Sequence, residues 1–319
     1  MSNYWRKKEV LITGANGFVG SHFVEDLCSM GAKVIGTYLS DRENCKFDGA
    51  NLLKIDLLDF DELLKQTEAM PIDTIIHCAS LDGNAEFKKK NSARIMDENS
   101  RMVSNILNFA KIRKVKNVVI MSSAEIYSHK ADSPIIEEDD YLKYFEGGEN
   151  GYVLSKIFSE VLGKLYAEQF KIKVFFPRPT NIYGPRDKFN ADSTRVIPSM
   201  IYKVLHNQKL EIWGDGKQIR SFIYVKDLVK AILLMVELDK YRTLNIATKE
   251  TISIVGLAKL IEKIAGKNSK IKLLLDKPVG IRRRVLNNDK FKNLSDFTFI
   301  DVRSGIEETL KWYKKVKYE

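Results

Sequence analysis

Short apolar runs alternate with segments of helical spacing along the first half of the chain. In the segments between the runs, apolar residues recur three and four positions apart, as they do in amphipathic helices. The apolar runs lie at Val10–Thr13, Val34–Tyr38, Leu52–Ile55, Thr74–His77, Val118–Met121 and Val174–Phe176. Strands that alternate with helices in this way predict an α/β fold with a parallel, doubly wound sheet.

The alternation becomes irregular after Phe176, where Pro177, Pro179, Gly184 and Pro185 follow in close succession. Proline and glycine interrupt regular structure, so a connection to a second region is predicted here. We predict a first domain over residues 1–177, completed by about 221–247, and a smaller α/β domain formed by 178–220 and 248–319.

The composition is typical of a globular protein, since hydrophobic residues make up 44% and charged residues 29% of the 319 positions. The longest apolar runs, such as Ala231–Val236, are far shorter than the ~20 residues that span a bilayer. Gly14 interrupts the N-terminal run before it reaches the length of a signal peptide. We therefore expect a cytoplasmic protein without a membrane partner.

The three cysteines, Cys28, Cys45 and Cys78, show no CxxC spacing. Structural zinc sites and small disulfide frameworks both depend on closely spaced cysteines. The sequence therefore predicts neither a disulfide framework nor a metal site.

The chain carries 52 basic and 42 acidic residues, which gives a net charge of +10. Such a surplus is compatible with nucleic-acid binding, with an anionic substrate or with a lysine-rich surface. The basic residues are dispersed except for clusters at Lys88–Lys90 and Arg282–Arg284. We favour a solvated basic surface and predict no nucleic-acid partner.

Three glycines, Gly14, Gly17 and Gly20, follow the Val10–Thr13 run and precede an amphipathic segment. Glycines at this spacing allow a sharp turn, a close approach of the backbone to a pyrophosphate, and tight packing of the helix on the strand. The helix N-terminus then directs its N–H groups at the phosphates. The pattern predicts a Rossmann-type dinucleotide site in the first domain.

The sequence leaves the form of the dinucleotide open. A site for NAD usually has an acidic residue about 20 positions after the glycines, at the end of the second strand, where this chain has Tyr38. Arg42 nearby favours the 2′-phosphate of NADP, whereas Asp41 would serve NAD if the loop is displaced. Asp56, directly after the third predicted strand, is a candidate for the adenine amino group, with helix capping as the alternative.

Tyr152 and Lys156 lie four positions apart in a predicted helix, Tyr152–Phe170, and therefore project from one face. Ser123 follows the predicted strand at Val118–Met121, and ligands of open α/β sheets bind at such strand ends. An ammonium group within ~4–6 Å lowers the pKa of a tyrosine, which is about 10 when free, by about 1–3 units. Tyr152 is thus a candidate base at neutral pH.

With these residues, the chain is similar to the extended short-chain dehydrogenase/reductase superfamily, specifically its nucleotide-sugar epimerase/dehydratase branch. The likeness covers nearly the whole chain. Besides the glycine turn and the set of Ser123, Tyr152 and Lys156, the matching motifs are His77–Ser80, Arg178–Pro185, Trp213–Gly216 and Arg220–Leu228.

The resemblance implies NAD or NADP as cofactor and a nucleotide sugar as substrate, with the first domain binding the dinucleotide and the second binding the sugar nucleotide. It also implies that Lys156 holds the nicotinamide ribose, that Ser123 hydrogen-bonds the sugar oxygen, and that Tyr152 takes its proton while hydride passes to the cofactor. The implied cofactor-binding residues are Gly14, Asn16, Gly17, Phe18, Val19, Gly20, Tyr38, Arg42, Asp56, Leu57, Cys78, Ala79, Ser80, Asn99, Ser122, Tyr152, Lys156 and Pro179.

For the substrate, the resemblance implies contacts from Asn181 and Arg220 to the nucleotide sugar. Arg283 or Arg284 would be the late arginine that grips the diphosphate, a use that suits the bidentate guanidinium group.

The stretch Pro179–Pro198 is especially close to the GDP-fucose synthase pattern, but two catalytic positions of that family differ. Its cysteine is Glu125 here, and its histidine is Arg195. Arginine does not release a proton near neutral pH, so the usual epimerase-reductase chemistry is not expected. Arg195 is instead a candidate for binding a hydroxyl, carboxylate or phosphate of the ligand.

The reaction that follows oxidation at C4 is the least determined part. We favour a 4-epimerase, in which the ketosugar rotates in the site and the hydride returns to its other face. The alternatives are a 4,6-dehydratase that uses Glu125 as a catalytic base, and a C4 dehydrogenase or 4-ketoreductase. From another class, an inactive cofactor-sensing or RNA-binding relative fits the positive charge, although the intact Ser123, Tyr152 and Lys156 argue against it.

The predicted helices Ser92–Lys111 and Tyr152–Phe170 carry apolar residues on more than the one face that a sheet covers. Exposed apolar stripes usually indicate a partner, and by resemblance that partner is a second copy, bound through a four-helix interface. The residues of the expected stripes are Ile106, Leu107, Phe109, Val161, Leu162 and Leu165.

Overall fold

The structure is a computed structural model that describes residues 3–41, 47–144, 150–191, 193, 195–277 and 279–318. Its strands are β1 (Glu9–Thr13), β2 (Lys33–Tyr38), β3 (Ala50–Lys54), β4 (Thr74–His77), β5 (Asn117–Ile120), β6 (Lys173–Pro179), β7 (Asn181–Tyr183), β8 (Leu210–Trp213), β9 (Ile219–Arg220), β10 (Phe222–Tyr224), β11 (Thr243–Ile246), β12 (Ile252–Ser253), β13 (Ile271–Leu274) and β14 (Arg283–Arg284). Its helices are α1 (Phe18–Ser29), α2 (Phe60–Gln66), α3 (Ala85–Lys90), α4 (Ser92–Ile112), α5 (Gly151–Phe170), α6 (Val196–Leu205), α7 (Val225–Leu238), α8 (Ile254–Ala265), α9 (Asp289–Lys292) and α10 (Val302–Tyr318).

A seven-stranded sheet with the order β11-β6-β5-β4-β1-β2-β3 organises the chain. The strands from β1 to β6 pair in parallel. Each of the six predicted apolar runs overlaps one of these strands, with ends that differ by at most three residues. The predicted α/β fold with a doubly wound parallel sheet is confirmed.

Two helices of the first compact unit, α2 and α5, begin where the sequence supplies a capping side chain. Asp59 accepts a hydrogen bond from the N–H of Glu62 at the start of α2, and Asn150 accepts from Tyr152 at the start of α5. Such caps satisfy N–H groups that the first helical turn leaves without backbone partners.

The α4 and α5 helices pack so closely that the chain needs glycine at the contact. A Cβ at Gly151 would lie 1.8 Å from the carbonyl oxygen of Ser92. The Ser92 hydroxyl also accepts a hydrogen bond of 2.7 Å from the Gly151 N–H. This contact places the start of α5 against the start of α4.

The expected exposed stripe on α4 is wrong, because its residues belong to the core. Ile106, Leu107 and Phe109 are fully buried in the cluster that packs on the sheet. On α5, Val161 and Leu165 are exposed as expected, whereas Leu162 is partly buried against the same cluster, contrary to the prediction. The sequence pattern did not reveal which faces of α4 the sheet and the neighbouring helix cover.

Two compact units divide the chain: residues 1–126, 147–178 and 232–244 form the first, and 127–146, 179–231 and 245–319 form the second. The predicted domains differ from these units mainly at 127–146 and 221–231, both assigned to the first domain. Residues 127–146 belong to the second unit because they form hydrogen bonds to distant residues of that unit. Ile135 donates its N–H to the Val285 carbonyl, and the Asn245 N–H donates to the Glu137 carboxylate.

The described residues of the second unit form their own core and three small sheets, β10-β7, β12-β9-β14 and β13-β8. Apolar residues of α6, α8 and α10 pack together there, among them Ile201, Ile261 and Ile306. Within the described part of the chain, helices are too short or too polar to cross a membrane.

Candidate active site

The glycine turn has the geometry that its spacing predicted. Gly14 has a φ of +64°, and a Cβ there would lie 3.0 Å from the backbone nitrogen of Ala79. A Cβ at Gly20 would lie 2.1 Å from the Gly14 carbonyl oxygen. Helix α1 begins at Phe18, directly after Gly17. A glycine-rich turn at a helix N-terminus fits the pyrophosphate of a dinucleotide, which Gly14, Gly17 and the N–H groups of Phe18 and Val19 would hold.

At the end of β2, Tyr38 is half-buried, and Arg42 lies outside the described residues. The Asp41 carboxylate pairs with Lys54 at 3.2 Å, and both groups are exposed. The Asn16 side-chain amide donates to the Ser40 carbonyl at 2.5 Å, which ties the glycine turn to the loop after β2. Neither arrangement selects between NAD and NADP.

Asp56 does not cap the helix that follows it, so the capping alternative is wrong. Its carboxylate accepts from the N–H of Leu58 at 2.9 Å, within a local turn, while Asp59 caps α2. Asp56 is exposed, and the next residue, Leu57, is buried. The prediction of a cofactor contact by Asp56 and Leu57 stays a prediction.

Thr13 holds the loop that follows β4. Its hydroxyl lies 2.8 Å from His77 Nδ1 and accepts the N–H of Ala79 at 3.2 Å. Burial, helped by the nearby Lys156 charge, lowers the pKa of His77 to about 3, and burial raises the pKa of Cys78 to about 12. Near neutral pH the imidazole is therefore uncharged and the thiol protonated, so this loop offers shape and backbone groups rather than a nucleophile.

Asn99 supports the same loop from α4. Its side chain accepts the Leu81 N–H at 2.7 Å and donates to the Leu81 carbonyl at 3.1 Å. Ser80, one residue earlier in the same loop, is exposed. Asn99 thus holds the predicted cofactor-binding loop in position.

Tyr152 and Lys156 come together on α5 as their spacing predicted. The Lys156 ammonium lies 5.6 Å from the centre of the Tyr152 ring and donates to the Met121 carbonyl at 2.8 Å. Burial lowers the pKa of Lys156 to about 8. Ser123 follows β5, and its hydroxyl oxygen accepts the N–H of Glu125 at 3.1 Å, so the hydroxyl hydrogen is left to donate to another acceptor.

Lys88 is a site residue that the sequence analysis missed. Its ammonium lies 3.2 Å from Asp82, 3.3 Å from the Glu125 carboxylate, and 3.8 Å from the centre of the Tyr152 ring. In the sequence it was only one member of a basic cluster interpreted as solvated surface. Glu125, the candidate base, is therefore held in an ion pair.

The Ser122 side chain takes part in a buried hydrogen-bond network. Its hydroxyl donates to Glu160 at 2.6 Å, and Arg178 donates to the same carboxylate through two hydrogen bonds of 2.8 and 2.6 Å. Glu160 and Arg178 are both 0% exposed. This buried network joins the end of β5 to α5 and β6. It thereby holds in position the backbone that carries Ser123, next to Ser122, and Lys156, one helical turn before Glu160.

In the second unit, two predicted substrate arginines are neighbours. Arg220 and Arg284 lie opposite each other on the parallel strands β9 and β14, whereas Arg283 is exposed and lies opposite Ile219. Burial and the positive charge of Arg284 lower the pKa of Arg220. Two guanidinium groups on one face are suited to an anion that carries two charges.

The other predicted substrate residues of this unit have structural contacts. The Arg195 guanidinium donates to the buried Asp187 carboxylate at 2.7 Å, and the Asn181 amide donates to the Ser221 carbonyl at 2.9 Å. Pro179, which ends β6, is buried.

A sequence model of the family described as "NAD dependent epimerase/dehydratase family" matches residues 10–247. The chain is 42% identical over 97% of each chain to a dTDP-4-dehydro-6-deoxy-D-allose reductase of a Streptomyces species, and 40% identical over the same shares to the enzyme of that name from Streptomyces bikiniensis. A solved UDP-N-acetylglucosamine 4-epimerase from Methanobrevibacter ruminantium M1 superposes with a TM-score of 0.86 at 26% identity, covering 98% of this chain and 99% of that one. The chain therefore belongs to the NAD dependent epimerase/dehydratase family, as the resemblance predicted, and its cofactor is NAD(P).

Proposed function

We propose that the protein is an NAD(P)-dependent reductase of the 4-keto group of a nucleotide-linked 6-deoxyhexose, with dTDP-4-dehydro-6-deoxyhexoses as the substrate class. The observation that carries the proposal is the set of Ser123, Tyr152 and Lys156 beside a Glu125 that is ion-paired to Lys88. The names of the relatives at 42% and 40% identity support this direction of reaction. A ketoreductase was the third alternative from the sequence.

The chain's residues supply the proton side of this chemistry. A bound reduced nicotinamide dinucleotide supplies the hydride that forms the new C–H bond at C4. The Ser123 hydroxyl donates a hydrogen bond to the C4 carbonyl oxygen, and the Tyr152 hydroxyl transfers its proton to that oxygen, which becomes the product hydroxyl. The Lys156 ammonium stabilises the phenolate that remains, and water returns the proton to it.

The ion pair of Glu125 argues against the dehydratase alternative. A 4,6-dehydratase needs a group that takes the proton from C5, and the Glu125 carboxylate is engaged by the Lys88 ammonium at 3.3 Å. Lys88 would have to withdraw from Glu125 before that step. The reductase needs no third proton-transfer group.

For the nucleotide end, we infer that Arg220 and Arg284 bind the diphosphate. Their pairing across β9 and β14 supports Arg284, rather than the exposed Arg283, as the late arginine of the motif. The guanidinium pair would then be neutralised by the ligand, which relieves the repulsion between them.

The test is an assay of purified protein with a dTDP-4-dehydro-6-deoxyhexose and either NADPH or NADH. The reductase consumes one reduced cofactor per sugar and yields a product heavier by two hydrogens. A second candidate, the 4-epimerase favoured from the sequence, is supported by the 26% identical epimerase structure; it would leave the mass of a dTDP-hexose unchanged and consume no cofactor. In a parallel incubation with a dTDP-hexose, a product lighter by one water would identify a dehydratase. An epimerised or dehydrated product there, with no reduced cofactor consumed by the 4-keto sugar, would refute the reductase.

We also propose that the protein forms a homodimer. The proposal is supported by the exposed apolar residues Val161 and Leu165 of α5, which would lie in the interface. Light scattering should give twice the chain mass of 36.6 kDa. Leu165→Glu should give the monomer, whereas Val316→Glu, a change at an exposed apolar residue of α10, should not. A wild-type protein that stays monomeric at micromolar concentration would contradict the dimer.

A further inference from the structure

Lys88 differs from the lysines beside it in the sequence. Its side chain is 17% exposed and contacts two carboxylates and an aromatic ring, whereas the Lys90 side chain is 73% exposed and pairs with Glu86 on the surface of its own helix. Surface pairs such as the second contribute little. The contacts of Lys88 belong to the candidate active site.

The short helix α3 determines where Lys88 points. Asn84 caps this helix by accepting the N–H of Phe87, and the Lys88 N–H donates to the Asn84 carbonyl. Lys88 thereby faces the end of the sheet, and Lys89 and Lys90 face outward, where both are exposed.

Lys88 lies over the face of the Tyr152 ring, at 3.8 Å from its centre. An ammonium group over an aromatic face is attracted by the electrons of the ring. When a tyrosine ionises, negative charge spreads into the ring, and the attraction to a cation in contact with it increases. Lys88 therefore stabilises the phenolate of Tyr152 more than the neutral phenol.

The charged groups around this pair act on both lysines. Asp82, in the loop after β4, and Glu125, in the turn after β5, lie 3.2 and 3.3 Å from the Lys88 ammonium. The same two carboxylates and the Lys88 charge also act on Lys156, whereas its neighbours His77 and Cys78 are uncharged near neutral pH. Asp82 and Glu125 hold the Lys88 ammonium in place and partly offset its charge, while the ammonium contacts the ring directly.

We propose that Lys88 is a positioning residue that holds the Tyr152 ring and, as a second ammonium group beside it, makes the Tyr152 hydroxyl a stronger proton donor. The role of Glu125 is then to anchor Lys88 rather than to act as a base. The proposal rests on the reductase function above, in which Tyr152 donates a proton.

The test measures the ionisation of Tyr152 by ultraviolet absorbance in the intact protein and needs no substrate. The absorbance of Tyr152→Phe, subtracted from that of wild type across the pH range, isolates Tyr152 from the other tyrosines. The same subtraction is made with Lys88→Met and the double variant Lys88→Met/Tyr152→Phe. We expect the acid dissociation constant of Tyr152 to fall about tenfold in Lys88→Met, the lower end for loss of an opposite charge at this distance.

Lys90→Met is the matched control and should leave the Tyr152 titration unchanged. Lys88→Arg keeps the charge and should retain most of the wild-type acid dissociation constant of Tyr152. Circular dichroism checks the fold, and Lys88→Gln replaces Lys88→Met if the latter does not fold. A change smaller than about twofold in the folded variant, an equal change in Lys90→Met, or a Lys88→Arg variant that titrates like Lys88→Met would each overturn the proposal.

A kinetic measurement separates this proposal from the proposed function. If the protein reduces the 4-keto sugar, the kcat of Lys88→Met should decrease, and its pH profile should shift upward by the amount seen in the titration, with KM little changed. If the protein reduces no such sugar, the reductase function fails while the titration still decides the role of Lys88.

Discussion

Breaking the buried pair of Glu160 and Arg178 should destabilise the first unit strongly. Both side chains are 0% exposed, and Arg178 makes two hydrogen bonds to the carboxylate. In Arg178→Met, the partners left to Glu160 among the described residues are the Ser122 hydroxyl at 2.6 Å and the ammonium of Lys164 at 3.8 Å. A buried carboxylate left in that state costs about 3–5 kcal/mol.

That cost is a large part of the about 5–15 kcal/mol by which a typical domain is stable. For a unit of this size, each kcal/mol lowers the melting temperature by about 2–4 °C. We therefore expect Arg178→Met to melt about 6–20 °C below wild type, by calorimetry at neutral pH.

Two further variants show that the unpaired charge is the cause. Glu160→Gln combined with Arg178→Met removes the charge, keeps an acceptor for Ser122, and should recover most of the loss. Lys164→Met removes the partly exposed partner of Glu160 and should cost less than about 1 kcal/mol. A single Arg178→Met variant that melts within about 2 °C of wild type, or a double variant as unstable as the single one, would refute the reasoning.

Three other predictions concern the candidate site. Tyr152→Phe should reduce turnover by about 10²–10⁴-fold while leaving cofactor binding intact, and near-normal activity would show that Tyr152 does not transfer the proton. Glu125→Gln should reduce turnover by less than about tenfold, and the reaction in deuterated water should put no solvent deuterium at C5; a loss of ~10²-fold or deuterium at C5 would restore Glu125 as a base. The pKa of His77 falls from 6.5 to about 3 on folding, so the unfolded chain binds the extra proton and stability should fall by about 2 kcal/mol between pH 7 and pH 5. Denaturant unfolding should show this loss in wild type and in a control, His206→Asn, but not in His77→Asn.

The sequence by itself determined the features that depend on neighbours along the chain. Strand and helix periodicity predicted the parallel sheet, and the glycine spacing predicted a turn in which Gly14 and Gly20 leave no room for a Cβ. The four-residue spacing of Tyr152 and Lys156 predicted that they share one face of a helix. Local geometry determines the strands, the helices, the glycine turn and the shared helix face, because each involves residues that are close together in the sequence.

Only the tertiary structure decided the contacts between distant residues. Lys88 and Glu125 are 37 positions apart and meet because β4 and β5 are adjacent in the sheet and α3 follows one of them. Arg220 and Arg284 meet because β14 pairs with β9. A pattern of charges along a chain carries no information on strand order, so the partners of these side chains, and with them the role of Glu125, depend on the folded arrangement.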